Sequence, residues 1–271
     1  MVGNTSEDLG VGSGSPILPS DGRQFWIALR YEVRLQLRSG RFYALLGIMA
    51  AFGIAALAAI VYRGPGTASV GSYFETWLSF MPGYFTTILA VAFAGDVAAR
   101  DLGTEAGLYT LPLPVRRATL LWGRIAGDLA LAVVALLAFT SGVAVSATYA
   151  FHAFPAGPLA IAIALTTAVE LATIAMVAFI SVAFQKPIWG FVLPFVFLLI
   201  GLNVAAELLH VYAHVAYWWS LTFSANVALV PFGPEATTPL PGYAVGSLAV
   251  AGYILVFGSI ATIAFRRREA E

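Results

Sequence analysis

Long apolar runs separated by short polar breaks make up most of the chain. Six of them come near or exceed the roughly 20 apolar residues that cross a bilayer as a helix. They lie at about 42–62, 73–94, 120–151, 158–184, 187–209 and 242–265. They are too long, and alternate too little, to be strands of a membrane β-barrel. Pro82-Gly83 predicts a bend in the second run, and Pro194 falls inside the fifth.

The stretch 23–41 has another pattern. Trp26, Leu29, Val33 and Leu37 recur at helical spacing, and Arg30, Arg34, Arg38 and Arg41 form a second stripe beside them. An apolar stripe next to an arginine ladder predicts a helix lying in the headgroup layer, its guanidinium groups reaching phosphates. The plainer alternative is a solvated helix leading into the first span. Residues 1–22 are polar and rich in Gly, Ser and Pro, without a basic n-region, which reads as a disordered tail and not as a signal peptide. The expected architecture is an all-α membrane protein: an interfacial helix and six transmembrane helices in one domain, 23–271. The segment 208–241, rich in aromatics, predicts short helices re-entering the bilayer from the outer side.

Composition agrees with this pattern: 60% of residues are hydrophobic and only 10% are charged, where a soluble domain carries about a quarter charged. The formal net charge is zero, which excludes a generally basic nucleic-acid binder. The charges are nevertheless partitioned. With a cytosolic N-terminus, all of the 14 Lys and Arg residues except Arg63 fall on the cytosolic side. The positive-inside rule therefore predicts that both termini are cytosolic. There is no cysteine, hence no disulfide, thiolate metal site or Cys nucleophile.

Few residues inside the spans can do chemistry. Glu170 lies near the middle of the fourth run, where an unpaired carboxylate costs several kcal/mol. It reads either as part of a polar translocation path, with Asn203 of the fifth run, or as a carboxyl group bonded to a neighbouring helix. Asp128, four residues after Arg124, reads as its structural partner. Glu207, His210 and His214 have the spacing that sets three side chains on one helix face and are a candidate metal set. Polar residues on an interfacial helix are the alternative there.

The loop between the second and third runs, 95–119, is the most charged part of the middle of the chain. It reads Asp101-Leu102-Gly103-Thr104, then Leu111-Pro112-Leu113-Pro114-Val115-Arg116-Arg117, then Gly123-Arg124. An acidic residue near Gly-Thr, a short helical stretch, Leu-Pro-x-x-Arg and a Gly-Arg leading into a span resemble the ABC-2 type transporter permeases. With the preceding amphipathic helix, the six spans and the broken outer region, the resemblance covers nearly all of the chain after residue 22. It implies a type V exporter-like permease fold in a prokaryotic inner membrane. The implied partners are a second permease chain, identical or different, and two copies of a soluble P-loop ATPase that bind ATP and Mg²⁺. The loop would be the coupling helix seated in the ATPase, through Asp96, Arg100, Asp101, Gly103, Thr104, Glu105, Tyr109, Arg116 and Arg117. The residues fit that role. Asp96–Tyr109 reads as a mixed-charge helix in which Asp96 and Arg100 pair at a spacing of four, and Pro112 and Pro114 end it. A surface loop that merely obeys the positive-inside rule is the alternative.

The chain has no G-x-x-x-x-G-K-[ST] pattern and only one lysine, Lys186, so it does not bind ATP in the P-loop manner. The function expected is the permease subunit of an ABC exporter: no enzyme by itself, with no cofactor of its own and lipids around it. Two other classes compete. One is a scaffold passing ATPase motion to an outer partner, for assembly or metal delivery. The other is a membrane enzyme acting on lipid, against which stands the lack of clustered acid–base groups at one depth.

Overall fold

The computed structural model describes residues 20–64, 66, 69–97, 116–184, 187–232 and 240–267. Among these the chain is helical throughout, and six helices are long and apolar enough to cross a membrane. Helix α1 (Asp21–Arg38) precedes the first span, α2 (Gly40–Arg63). The second span, Val70–Ala94, is α3 (Val70–Leu78), a π-helical turn (Met81–Phe85) and α4 (Thr86–Ala94). The third and fourth are α5 (Arg117–Phe151) and α6 (Ala156–Ala183). The fifth joins α7 (Pro187–Val196), a second π turn (Phe197–Gly201) and α8 (Leu202–Ala213). A 3-10 turn at Tyr217–Trp219, α9 (Leu221–Ala225) and a 3-10 segment at Asn226–Phe232 lead towards the last span, α10 (Tyr243–Arg267).

The bends have local causes. The first π turn contains Pro82 and Gly83, the pair expected to bend the second span, and the second follows Pro194 by three residues. Pro82 has no N–H for the helical ladder and crowds the preceding turn, and the widened turn sits at that fault; the second π turn lies C-terminal to Pro194, beyond the hydrogen bond this proline removes. Two boundaries differ from expectation. Helix α1 ends at Arg38, and Ser39 breaks it, so Arg41 belongs to the first span and not to the preceding helix. The fifth span runs on to Ala213 before the short outer helices begin.

Packing is organised by α5 and α6. Helix α5 carries α1 and α2, while α6 carries α4 and α10. Small residues allow the close crossings, as is usual where helices associate without a hydrophobic driving force. At the α2–α5 crossing a side chain on Gly142 would run into the backbone of Gly53. On α5, a Cβ at Gly123 would lie 2.6 Å from that of Ala28, and one at Gly127 would lie 3.0 Å from that of Glu32. The Gly123-x-x-x-Gly127 stripe is therefore the seat of α1.

The short helices near the end of the chain are packed, not solvated. Leu221, Ala225, Val227, Ala228 and Leu229 are buried, and Phe232 stacks on Phe74 of α3 with ring centroids 5.2 Å apart. Between these helices, the fifth span and α10 lies an apolar groove of about 880 Å³, walled by Phe197, Leu202, Trp218, Trp219, Tyr253 and Phe257 among others.

Candidate functional site

Helix α1 turns an unexpected face to the bundle. Its buried residues are Gln24, Ala28, Glu32 and Gln36, a stripe with a spacing of four that contains three polar side chains. Of the predicted apolar stripe, Leu29 and Val33 are half-buried, whereas Trp26 and Leu37 are exposed, together with Ile27, Tyr31 and Leu35. Arg30, Arg34 and Arg38 are exposed too. The periodicity was legible; which stripe faces protein was decided by what α5 offers.

What α5 offers is a buried polar group beside its two glycines. The Gln36 amide nitrogen donates to Glu32 Oε1 at 3.1 Å and faces the Phe93 carbonyl and Asp128 Oδ1 at 3.3 Å each. Arg124 donates to the Val97 carbonyl at 3.0 Å and lies 4.0 Å from Glu32 Oε2. Glu32, Gln36, Arg124 and Asp128 are all buried. Buried polar groups persist when bonded to one another, and a lost partner leaves a desolvated group behind. Asp128 and Arg124 thus act in a network that includes α1, wider than the isolated pair expected from their spacing.

The same junction holds both ends of the 95–119 loop. Asp96 is buried in the turn after α4 and accepts from Arg41 Nη1 at 3.2 Å. The guanidinium of Arg41 also lies over the Phe191 ring, 5.1 Å from its centroid. Asp96 itself sits in a turn, the remainder of the helix expected over 96–109 lying outside the described residues from 98 on, and Arg41 holds protein as well as facing the surface. At the other end, the Arg116 backbone N–H donates to Gln24 Oε1 at 3.1 Å and its guanidinium pairs with Asp21, tying the start of α5 to the start of α1. Arg117 begins α5. Arg100, Asp101, Gly103, Thr104, Glu105 and Tyr109 lie outside the described residues, as do Lys186 and most of the tail.

The remaining predicted residues fall elsewhere. Glu170 is 0% exposed, enclosed by its own chain, and neither carboxyl oxygen has a hydrogen-bond partner among the described residues. In this conformation of the single chain it is closed off from the surface. Asn203 is exposed at the start of α8, where its amide donates to Leu199 O and accepts from Thr222. Glu207 accepts from the Tyr217 hydroxyl at 2.9 Å, and His210 stacks on the Tyr217 ring at 4.2 Å. Helix α8 ends at Ala213, and His214 is its left-handed cap with φ 52°. The shared helix face expected for Glu207, His210 and His214 therefore ends before its third member. Among the described residues no three His, Asp or Glu gather in a way that could hold a metal ion.

Glu32 and Gln36 were not among the expected site residues, nor was Glu75, which is buried in α3. For the first two a signal existed: Gly123-x-x-x-Gly127 marks a close helix contact, and a polar stripe at a spacing of four ran beside the apolar one on 23–41. No protein-family model matches the chain, and no curated protein does.

Proposed function

We propose that this chain is the membrane-spanning permease subunit of an ABC-2 type exporter, driven by a separate soluble ATPase. The observation that carries the reading is the polar junction. Helix α1, the end of the second span and the start of the third are joined by Gln36, Arg124, Asp128 and Arg116 at the two ends of one charged loop. A push on that loop or on α1 is thereby passed to two spans at once. The exposed apolar and arginine stripes of α1 suit a helix lying at the cytosolic headgroup layer, where an ATPase approaches. In this reading both termini are cytosolic in a prokaryotic inner membrane, a second permease chain completes the path, and two ATPase copies bind ATP and Mg²⁺.

The test is gentle purification of the tagged chain from its native membrane, alongside charge reversals at Asp101 and Glu105. A soluble P-loop ATPase should co-purify with the wild type and be released by the reversals. Recovery of the intact chain alone would overturn the reading. An ATPase that stays bound and active, with no cargo moved in sealed vesicles, would favour a scaffold that hands motion to an outer partner.

A further inference from the structure

At the end of the bundle opposite the 95–119 loop, a cavity of about 360 Å³ opens between α8 and the short helices that follow it. Its wall includes Asn203, Glu207, Tyr217, Thr222, Phe223 and Asn226. We propose that this cavity binds an organic ammonium group, with Glu207 as its counter-ion and the Tyr217 and Phe223 rings as its aromatic wall.

Three features select a cation. Among the described residues, Glu207 is the only formally charged one on the wall, and it enters no ion pair. Its Oε2 is held by the Tyr217 hydroxyl at 2.9 Å, which orients the carboxylate, while Oε1 carries no hydrogen bond among the described residues. The Tyr217 and Phe223 rings meet at 34° with centroids 5.6 Å apart. Both rings line the cavity, and an aromatic face attracts a cation that comes within about 6 Å of it; His210, stacked on Tyr217 at 4.2 Å, takes up one face of that ring.

The neutral groups are consistent with this ligand. Loss of solvent and the adjacent Glu207 carboxylate push the Tyr217 phenol above its ordinary value, so near neutral pH it stays a hydrogen-bond donor and adds no charge. Asn203 spends its amide on Leu199 and Thr222, whereas the Asn226 amide has no partner among the described residues, and its oxygen can turn its partial negative charge towards a cation. The volume lies within the roughly 300–1,000 Å³ of small-molecule sites, at the small end. Among the described residues of the wall, an anion would find no Lys or Arg and a metal ion a single carboxylate.

The site does not depend on whether an ATPase drives the chain. Its ammonium has two sources, a free amine or the headgroup of a membrane lipid, and the chemistry is the same for both. The full chain in phosphatidylglycerol nanodiscs is titrated with choline and, separately, with its uncharged tert-butyl isostere. Tryptophan fluorescence is the signal, since Trp218 and Trp219 follow Tyr217 directly. Choline should give a saturable change and the isostere none. Glu207→Gln should weaken choline by roughly tenfold, the loss expected when an ion pair becomes a neutral contact. Asn226→Asp, which adds a second carboxylate, should tighten it, and this keeps the proposal testable if the first variant fails to fold. Equal binding of the isostere, no saturable response to choline, or unchanged affinity in Asn226→Asp would overturn the proposal. Repeating the titration in discs containing phosphatidylethanolamine separates the sources: a raised apparent constant for choline identifies the lipid headgroup, and an unchanged one a soluble amine.

Discussion

Among the buried carboxyls of this apolar bundle, two groups are treated in opposite ways. Glu32 and Asp128 share the Gln36 amide, and the Arg124 guanidinium stands 4.0 Å from Glu32. Glu170 sits on α6 among Val169, Ala172 and Ile174, every one of them fully buried, and its two oxygens meet no donor among the described residues. Burial alone therefore does not say what a polar residue is for. The first group joins three chain segments and gains orientation from being shut away from solvent, because each hydrogen bond there has little competition from water. The second gains nothing visible and bears the full cost of desolvation.

The largest expected effect comes from breaking the shared group. Asp128→Leu removes an acceptor from Gln36 and a negative charge from the vicinity of Arg124, and breaking a buried charged network of this kind costs about 3–5 kcal/mol. Unfolding in detergent should show the loss, and accelerated proteolysis at α1 should show where it arises. An unchanged midpoint would mean that glycine packing alone holds α1. Next in size, and opposite in sign, is Glu170→Met. Replacing an unpartnered buried carboxyl with an apolar side chain of similar length should raise stability by about 1–3 kcal/mol, the cost of one unsatisfied buried group. If this variant is destabilised as Asp128→Leu is, Glu170 has a partner outside the described residues, and the contrast between the groups disappears. The smallest effect is expected for Arg116→Ala. Its ion pair with Asp21 is exposed, with 75% and 53% of the two side chains' surface open, and exposed pairs contribute about 0–1 kcal/mol. A clear drop in the unfolding midpoint would show that the surface pair, more than the buried network, fastens α1 to α5.

The six spans and the bend at Pro82-Gly83 could be read directly from the chain, because length, hydropathy and proline act locally. So could the existence of α1, since its helical period needs no knowledge of neighbours. The candidate site was legible only in outline. Arg116, Arg124 and Asp128 were visible as charges near a loop, and Asp96 as one of its acids, but the only pairings spacing offered were Asp96 with Arg100 and Asp128 with Arg124, each four residues apart. The structure adds partners from far away: Arg41 for Asp96, Asp21 and Gln24 for Arg116, Gln36 for Asp128. Spacing of three or four along a helix limits which side chains can meet within it, and it is silent on contacts between helices.

The expected metal set loses its shared helix face for a related reason. Glu207, His210 and His214 share a face only while the helix continues, and α8 stops one residue before His214. Sequence by itself determined which segments avoid water, and so their number, length and helical state, because transfer from water is a property of each residue and its near neighbours. Tertiary structure alone decided which stripe of α1 faces protein, which acids are shared and which stands alone. Those outcomes depend on two glycines at one crossing and on donors brought in from distant segments, and such contacts exist only once the helices have packed.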